Sequence, residues 1–327
     1  MKDLIRTIPL LLSLCTAPAN SAELKPSVTG ISGPTLAWWC YSSEGGVGPF
    51  AADELIAIAA KHHLAIDLPP HHLVKKIQDA GVVVPCLGMD IPGLPPFVLS
   101  PGNPAEKPKV LGALKETIDH ASKHGVPMVL CFTGNKAVDL SFHDQFSGLV
   151  DSFREMTAYA KAKKVRLVLE CLNDNYFPGE GGAMKGHPGY FGTSPWLCLD
   201  LVKAVGEPAW FGLALDWYHL GVEDYAFGHG NSQDLSVFIK KARTHVFHTH
   251  VAGVYESEKL MRGPLHLAGQ KLDYPRIYRE LGLDVPYCLE NPIFGRDENA
   301  KAAMESIAEA LKLLKLGGKA GGSPLAE

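Results

Sequence analysis

The chain is poor in charge and has no strong excess of either sign. Its 327 residues include 31 Lys or Arg and 35 Asp or Glu, a formal net charge of −4. Nucleic acid as the main partner requires clustered basic residues to neutralise phosphates, and this balance argues against it. Beyond the first two dozen residues no apolar run is long enough to span a bilayer, so no transmembrane segment is expected. No Cys-x-x-Cys pair occurs, which leaves a structural zinc site without sequence support. No Gly-x-Gly-x-x-Gly opens a helix after an early strand, which removes the usual dinucleotide fingerprint. The 33 Gly and 24 Pro show no fixed period, excluding collagen, and a 46% hydrophobic content excludes disorder over most of the length. No linker or shift in composition divides the chain. A length of 327 residues would allow two domains at ~150 residues each, but α/β barrels run to about 250 residues as one unit.

The two ends read differently from the rest. Lys2 and Arg6 precede an apolar stretch from Ile8 to Cys15, followed by Ala17-Pro18-Ala19 and Asn20-Ser21-Ala22. This is the pattern of a secretory signal peptide over residues 1–22, and it implies export to a periplasmic or extracellular space. A buried N-terminal helix is the competing reading, and Pro9 and Pro18 count against it. Loss of Lys2, Asp3 and Arg6 would leave 29 basic against 34 acidic residues, a net −5. Residues 317–327 are Gly-rich and read as a loose tail, which leaves residues 23–316 for the folded unit. Of the seven cysteines, Cys15 falls in the leader. Cys40, Cys86, Cys131, Cys171 and Cys288 sit in or beside apolar runs, as core thiols rather than disulfide partners.

Between the ends, short apolar runs alternate with helical patterns. The runs are residues 36–40, 64–68, 82–87, 127–132, 165–170, 211–216, 245–251 and 285–290. Such continuous runs suit strands buried on both faces, as in a parallel sheet. Helical spacing appears over residues 51–62, 109–124, 141–164, 197–205, 235–243, 274–281 and 298–316, with Gly125 and Gly206 as stops. The alternation predicts a single-domain (β/α)8 TIM barrel, with a doubly wound open sheet as the rival.

Barrel enzymes carry their chemistry at the C-terminal ends of the strands. The last four runs carry Glu170, Asp216, His250 and Glu290 at or next to their ends. A single strand-end carboxylate is ordinarily a helix cap or an ion-pair partner. Four successive runs ending in metal-ligand types suit a divalent cation, because burying unpaired charges there would cost several kcal/mol each. Three carboxylates and one imidazole suit a hard or borderline ion such as Mn²⁺, Mg²⁺ or Co²⁺. His248 and His250 alternate on one run, so their side chains share a face. Asn135 and Lys136 follow the fourth run in a Gly-containing loop, a place for substrate contact. His62, His63, His71, His72, His120, His124 and His143 fall in helix or loop contexts and are expected to be solvated.

Glu170-Cys171-Leu172-Asn173, His187-Pro188-Gly189-Tyr190, Asp216-Trp217-Tyr218-His219 and His248-Thr249-His250 with Gly253 together resemble the hydroxypyruvate isomerase-like family. That family belongs to the xylose isomerase-like TIM-barrel superfamily of sugar isomerases and epimerases. Cys131-Phe132-Thr133-Gly134-Asn135-Lys136 is similar to its fourth-strand loop, and Asp273-Tyr274-Pro275 with Ile277 to its approach to the seventh helix. The resemblance covers roughly residues 35–315. It implies one metal ion held by Glu170, Asp216, His250 and Glu290, with Glu170 and Glu290 as the acid/base pair. Substrate contacts are expected from His219, Asn135, Lys136, Asn173, Tyr190 and His248. The implied reaction makes the C–H beside a carbonyl acidic. One glutamate removes the proton to give a cis-enediolate, and a glutamate returns it at the neighbouring carbon.

The chain also departs from the family. After Gly253 the family tends to carry Pro-Gly-Arg, and here Val254-Tyr255-Glu256-Ser257 lacks that guanidinium. Arg262 in the same loop is a candidate replacement. Asp67 ends the second run where the family more often has Glu. The Gly-rich segment from Asn173 to Tyr190 reads as a lid or a remodelled pocket wall. The expected substrate is a small sugar, more readily an unphosphorylated one outside the cell, or a keto acid. A homo-oligomer is compatible with all of this. Two other readings compete: a phosphodiesterase of the endonuclease IV type, which wants several zinc ions and a basic groove, and a catalytically silent secreted sugar-binding barrel.

Overall fold

The structure, a computed structural model, describes residues 33–173, 186–226, 233–255, 261–263, 285–290 and 299–315. The expected leader, the C-terminal tail, the helix expected over 274–281 and most of the Gly-rich segment lie outside them. The strands are β1 (Gly33–Ala37), β2 (Ala65–Asp67), β3 (Cys86–Gly88), β4 (Met128–Cys131), β5 (Arg166–Glu170), β6 (Phe211–Asp216), β7 (Val246–Val251), β8 (Gly253–Tyr255), β9 (Met261–Gly263) and β10 (Pro286–Leu289). The helices are α1 (Trp38–Tyr41), α2 (Ala52–His62), α3 (Val74–Asp79), α4 (Lys107–Lys123), α5 (Phe142–Ala162), α6 (Pro195–Val205), α7 (Trp217–Ala226), α8 (Gln233–Ala242) and α9 (Asn299–Lys315).

Eight strands form one parallel sheet in the order β2-β1-β10-β7-β6-β5-β4-β3. Its two edges meet through Ile66 N–H donating to Val83 O at 3.0 Å and Leu68 N–H donating to Cys86 O at 3.1 Å. The sheet is thus rolled into a TIM barrel, as the alternation predicts. Every residue of β4, β6 and β7 is buried, because side chains point alternately into the barrel and against the helix ring. The six cysteines among the described residues are free and buried, which fits core thiols. No helix among the described residues is long and apolar enough to cross a membrane.

The helices start and stop where their chemistry says they should. Ser141 caps α5 by accepting from Asp144 N–H, and Ser194 caps α6 with Pro195 at its first turn. Gly206 ends α6 in the left-handed region at φ 80°, which suits a residue without Cβ. The boundaries differ from expectation in instructive places. The first run yields strand only to Ala37, and Trp38–Tyr41 turns into α1 with Ser42 N–H closing on Trp38 O. The third run becomes ladder only from Cys86, since Pro85 has no N–H to give. The short α3, helix α7 directly after β6 and the antiparallel β8–β9 hairpin carry weak periodicity and were not expected. His120 is half-buried against His71, with ring centroids 5.1 Å apart, rather than solvated. Burial and the neighbouring His71 lower its pKa.

One glycine fixes the loop that carries Asn135 and Lys136. Gly134 has φ 72°, and a Cβ there would lie 2.2 Å from Leu99 O. Its carbonyl accepts from Phe191 N–H at 2.9 Å, tying the loop after β4 to the loop before α6. Gly134→Ala is expected to destabilise the protein by more than about 1 kcal/mol, the left-handed cost plus the clash. Denaturant unfolding checks this, and a variant as stable as the parent would contradict it.

Candidate active site

Four neighbouring strands deliver the four expected ligands to one point. Glu170 ends β5, Asp216 ends β6, His250 lies near the end of β7 and Glu290 follows β10. The register pairs Asp216 directly with His250, whereas Glu170 pairs with Ala214, two residues short of Asp216. This stagger lets side chains from strands of different length converge on one level. Ligand atoms of all four lie within 4.8 Å of one another, and all four residues are buried. His250 Nδ1 is 2.8 Å from Glu170 Oε1 and 3.6 Å from Glu290 Oε2.

Two of the three carboxylates are held by a further contact, and the third residue is braced through its backbone. Asp216 Oδ1 accepts from Tyr218 N–H at 2.7 Å and His219 N–H at 3.3 Å, so it caps α7. Its Oδ2 lies 3.6 Å from His219 Nε2. The cap and ligand readings of this residue are therefore compatible, one oxygen for each. Trp39 Nε1 donates to Glu290 Oε1 at 2.6 Å. Trp39 was missed at the sequence level, because the residue after a first strand carries no distinguishing pattern. Tyr190 OH donates to Glu170 O at 3.0 Å and accepts from Thr133 N–H at 3.0 Å.

The electrostatics follow from crowding in a dry place. Burial raises the pKa of Glu170, against the opposing pull of His250. Burial alone would lower that of His250, but the Glu290 and Glu170 charges outweigh it and hold the imidazole up at about 10. The cluster therefore demands positive charge. Without a metal, a proton on His250 supplies it.

The other expected site residues separate into groups. His219 lies beside the cluster, and its Nδ1 is 2.6 Å from Asn173 Nδ2. His187 stands next to it, 5.4 Å between ring centroids, and packs on Phe97. Asn135 is half-buried and Lys136 exposed, on the loop bridged to Tyr190. Tyr190 is fully buried, which makes it a brace between loops rather than a surface for substrate. His248 is the clearest departure. It is fully buried one inward position below His250, with Nε2 at 2.7 Å from Asp67 Oδ2 and Nδ1 facing Pro286 O.

A divalent metal fits these donors. Adjacent ligand atoms around an ion with ~2.1 Å bonds are about 3 Å apart, and the two carboxylate–imidazole separations of 2.8 and 3.6 Å bracket that value. His250 Nε2 is buried without a hydrogen-bond partner, so no tautomeric demand from that side holds the proton on Nδ1.

Residues 49–315 match a family model described as xylose isomerase-like TIM barrel. No curated protein is similar in sequence at a significant level. Among solved structures, an IolI protein with a bound zinc atom has a TM-score of 0.66 at 14% identity, covering 89% of this chain and 100% of its own. An L-ribulose 3-epimerase has a TM-score of 0.55 at 17% identity, covering 88% of this chain and 92% of its own. An AP endonuclease of family 2 from Brucella melitensis has 0.62 at 15%, with coverages of 81% and 95%. At such identities these likenesses speak for the fold.

The raised pKa of His250 gives a signed prediction. A group raised on folding stabilises fully below its unfolded value and loses that contribution as pH rises through the folded one. Chelator-stripped protein should therefore melt at progressively lower temperature as pH rises from about 6.5 to about 10. The raised Glu170 acts in the same direction. Bound Mn²⁺ should flatten the dependence. A stripped sample whose Tm is constant or rises over this range would contradict the account.

Proposed function

Because the chain belongs to the xylose isomerase-like TIM barrel family, we propose that it is a metal-dependent isomerase or epimerase of the hydroxypyruvate isomerase-like kind, acting on a small sugar or keto acid. The observation that carries this reading is the pair of glutamates gathered at one imidazole. Glu170 and Glu290 both approach His250 Nδ1, at 2.8 and 3.6 Å. Two carboxylates on opposite sides of a planar intermediate are what shuttling a proton between neighbouring carbons requires.

Glu170, Asp216, His250 and Glu290 would hold one divalent ion, Mn²⁺, Mg²⁺ or Co²⁺. When bound, it supplies Lewis-acid polarisation of a carbonyl, which makes the adjacent C–H acidic. The remaining tasks belong to the chain. One glutamate takes the proton from that carbon and leaves a cis-enediolate. The same or the opposite glutamate returns a proton at the neighbouring carbon. Trp39 N–H orients Glu290 through Oε1, leaving Oε2 directed at the cluster. His219, held by Asn173, lies where it can contact a substrate hydroxyl. Asn135 and Lys136 stand on the rim. In the hairpin after β7, Arg262 pairs in backbone register with Val254. Arg262 on this hairpin is proposed as the replacement for the family arginine.

The test is an NMR screen in D₂O with Mn²⁺ against ketoses, aldoses and hydroxypyruvate, which detects enediolate chemistry through deuterium entering the substrate carbon. Glu170→Gln and Glu290→Gln should each lower exchange by at least about 10²-fold with the fold intact. Full activity in either variant would reject the mechanism. Absence of exchange across the panel would favour a silent binding barrel. Trp39→Phe removes a hydrogen bond to a charged group, worth about 1.5–3 kcal/mol, and should cost about tenfold or more in kcat. An unchanged kcat would show that Glu290 is oriented without it.

A further inference from the structure

Directly below the proposed catalytic cluster, three further ligand-type side chains converge. Asp67 from β2, Cys86 from β3 and His248 from β7 place one carboxylate oxygen, the thiol sulfur and one ring nitrogen within 4.8 Å of one another, all buried. The mechanism above uses none of them. We propose that this cluster is a second metal site, for a borderline ion of the Zn²⁺ type, distinct from the oxygen-rich site above it.

Two buried atoms of these residues support this. His248 Nε2 and Asp67 Oδ1 have no hydrogen-bond partner, and both residues are fully buried. Nε2 is only 2.7 Å from Asp67 Oδ2, yet the contact lacks hydrogen-bond geometry. Asp67 Oδ2 is instead satisfied by Thr35 Oγ1 at 2.8 Å. An orphaned buried donor or acceptor costs about 1–3 kcal/mol, and an ion bound here would remove that cost for both atoms at once.

The donor chemistry differs from the upper site. Thiolate, imidazole and carboxylate are the ligand types of zinc, and hard ions such as Mn²⁺ do not seek sulfur. Three protein ligands leave one position of a tetrahedral set for a fourth donor. Charge also balances, since one carboxylate and one thiolate neutralise a dication. Burial and the Asp67 charge push the free Cys86 thiol well up, and coordination reverses this by deprotonating it. The location adds a purpose. Asp67 and Cys86 stand on the two edge strands of the sheet, where only a few backbone hydrogen bonds close the barrel. An ion held there would clamp that seam to β7, the strand that carries His250.

The test uses the full chain, stripped with chelator and reloaded with Zn²⁺ or Co²⁺. Wild type should retain about two ions per chain, and its cobalt form should show the near-ultraviolet absorption of a thiolate-to-metal transition. Cys86→Ser should reduce the count to about one and abolish that band. A Glu170→Gln/Glu290→Gln double variant should also hold about one ion but keep the band. If Cys86→Ser does not fold by circular dichroism, Cys86→Ala or Asp67→Asn carries the same expectation. A wild type with a single ion, lost only in the glutamate variant and without the band, would overturn this inference and leave the proposed function standing. An unchanged count in the glutamate variant would instead count against the catalytic metal site.

Discussion

Three carboxylates and one imidazole are packed together in a barrel mouth that gives them almost no water. Buried like charges at these separations cannot all persist uncompensated. Much of the local structure answers that demand. Asp216 spends one oxygen on the first turn of α7, where the helix N-terminus supplies partial positive charge. Glu290 accepts the Trp39 indole N–H. His250 receives a proton that it would ordinarily lose near neutrality. On the proposed function, a divalent cation would satisfy the same demand more completely and would also polarise a carbonyl.

The barrel converts this requirement into geometry. Parallel strands end at the same face, and their register decides which residues share a level. Asp216 and His250 are direct register partners, while the offset of β5 brings Glu170 to the same height. Bracing then comes from the loops. Tyr190 ties the end of β5 to the loop after β4, and Gly134 permits that loop to pass close to Leu99. Because His248 lies one inward position below His250, the deeper cluster with Asp67 and Cys86 shares a strand with the upper one. Whatever fixes β7 at that depth also fixes the ligand above.

The sequence made the barrel and the upper cluster legible for a definite reason. Buried parallel strands leave continuous apolar runs, and a polar residue at the end of such a run stands out. Glu170, Asp216, His250 and Glu290 were visible on that basis. Residues whose partners lie on other strands were not. Trp39 lies within an apolar run as one aromatic among several, and its link to Glu290 exists only once β1 and β10 are neighbours. Cys86 read as a core thiol and Asp67 as a variant strand end. The absence of Cys-x-x-Cys left a structural zinc site without support, but that pattern reports ligands close in sequence rather than ligands drawn from three strands. His248 shared a face with His250, which was correct, but period-two reasoning gives direction and not depth. The helix α7 escaped notice because its first turn is fixed by the side chain of Asp216 rather than by an amphipathic pattern.

The central claim is that a proton on His250 and a metal ion compete for the same buried negative charge. Calorimetric titration of Mn²⁺ into stripped protein near pH 8, repeated in buffers of different ionisation enthalpy, measures that exchange directly. Mn²⁺ is chosen because a hard ion avoids the thiol-containing cluster. The account predicts release of about one proton or more for each ion bound, with His250→Gln losing most of that release. Binding with no proton released, or with the same release in His250→Gln, would contradict it.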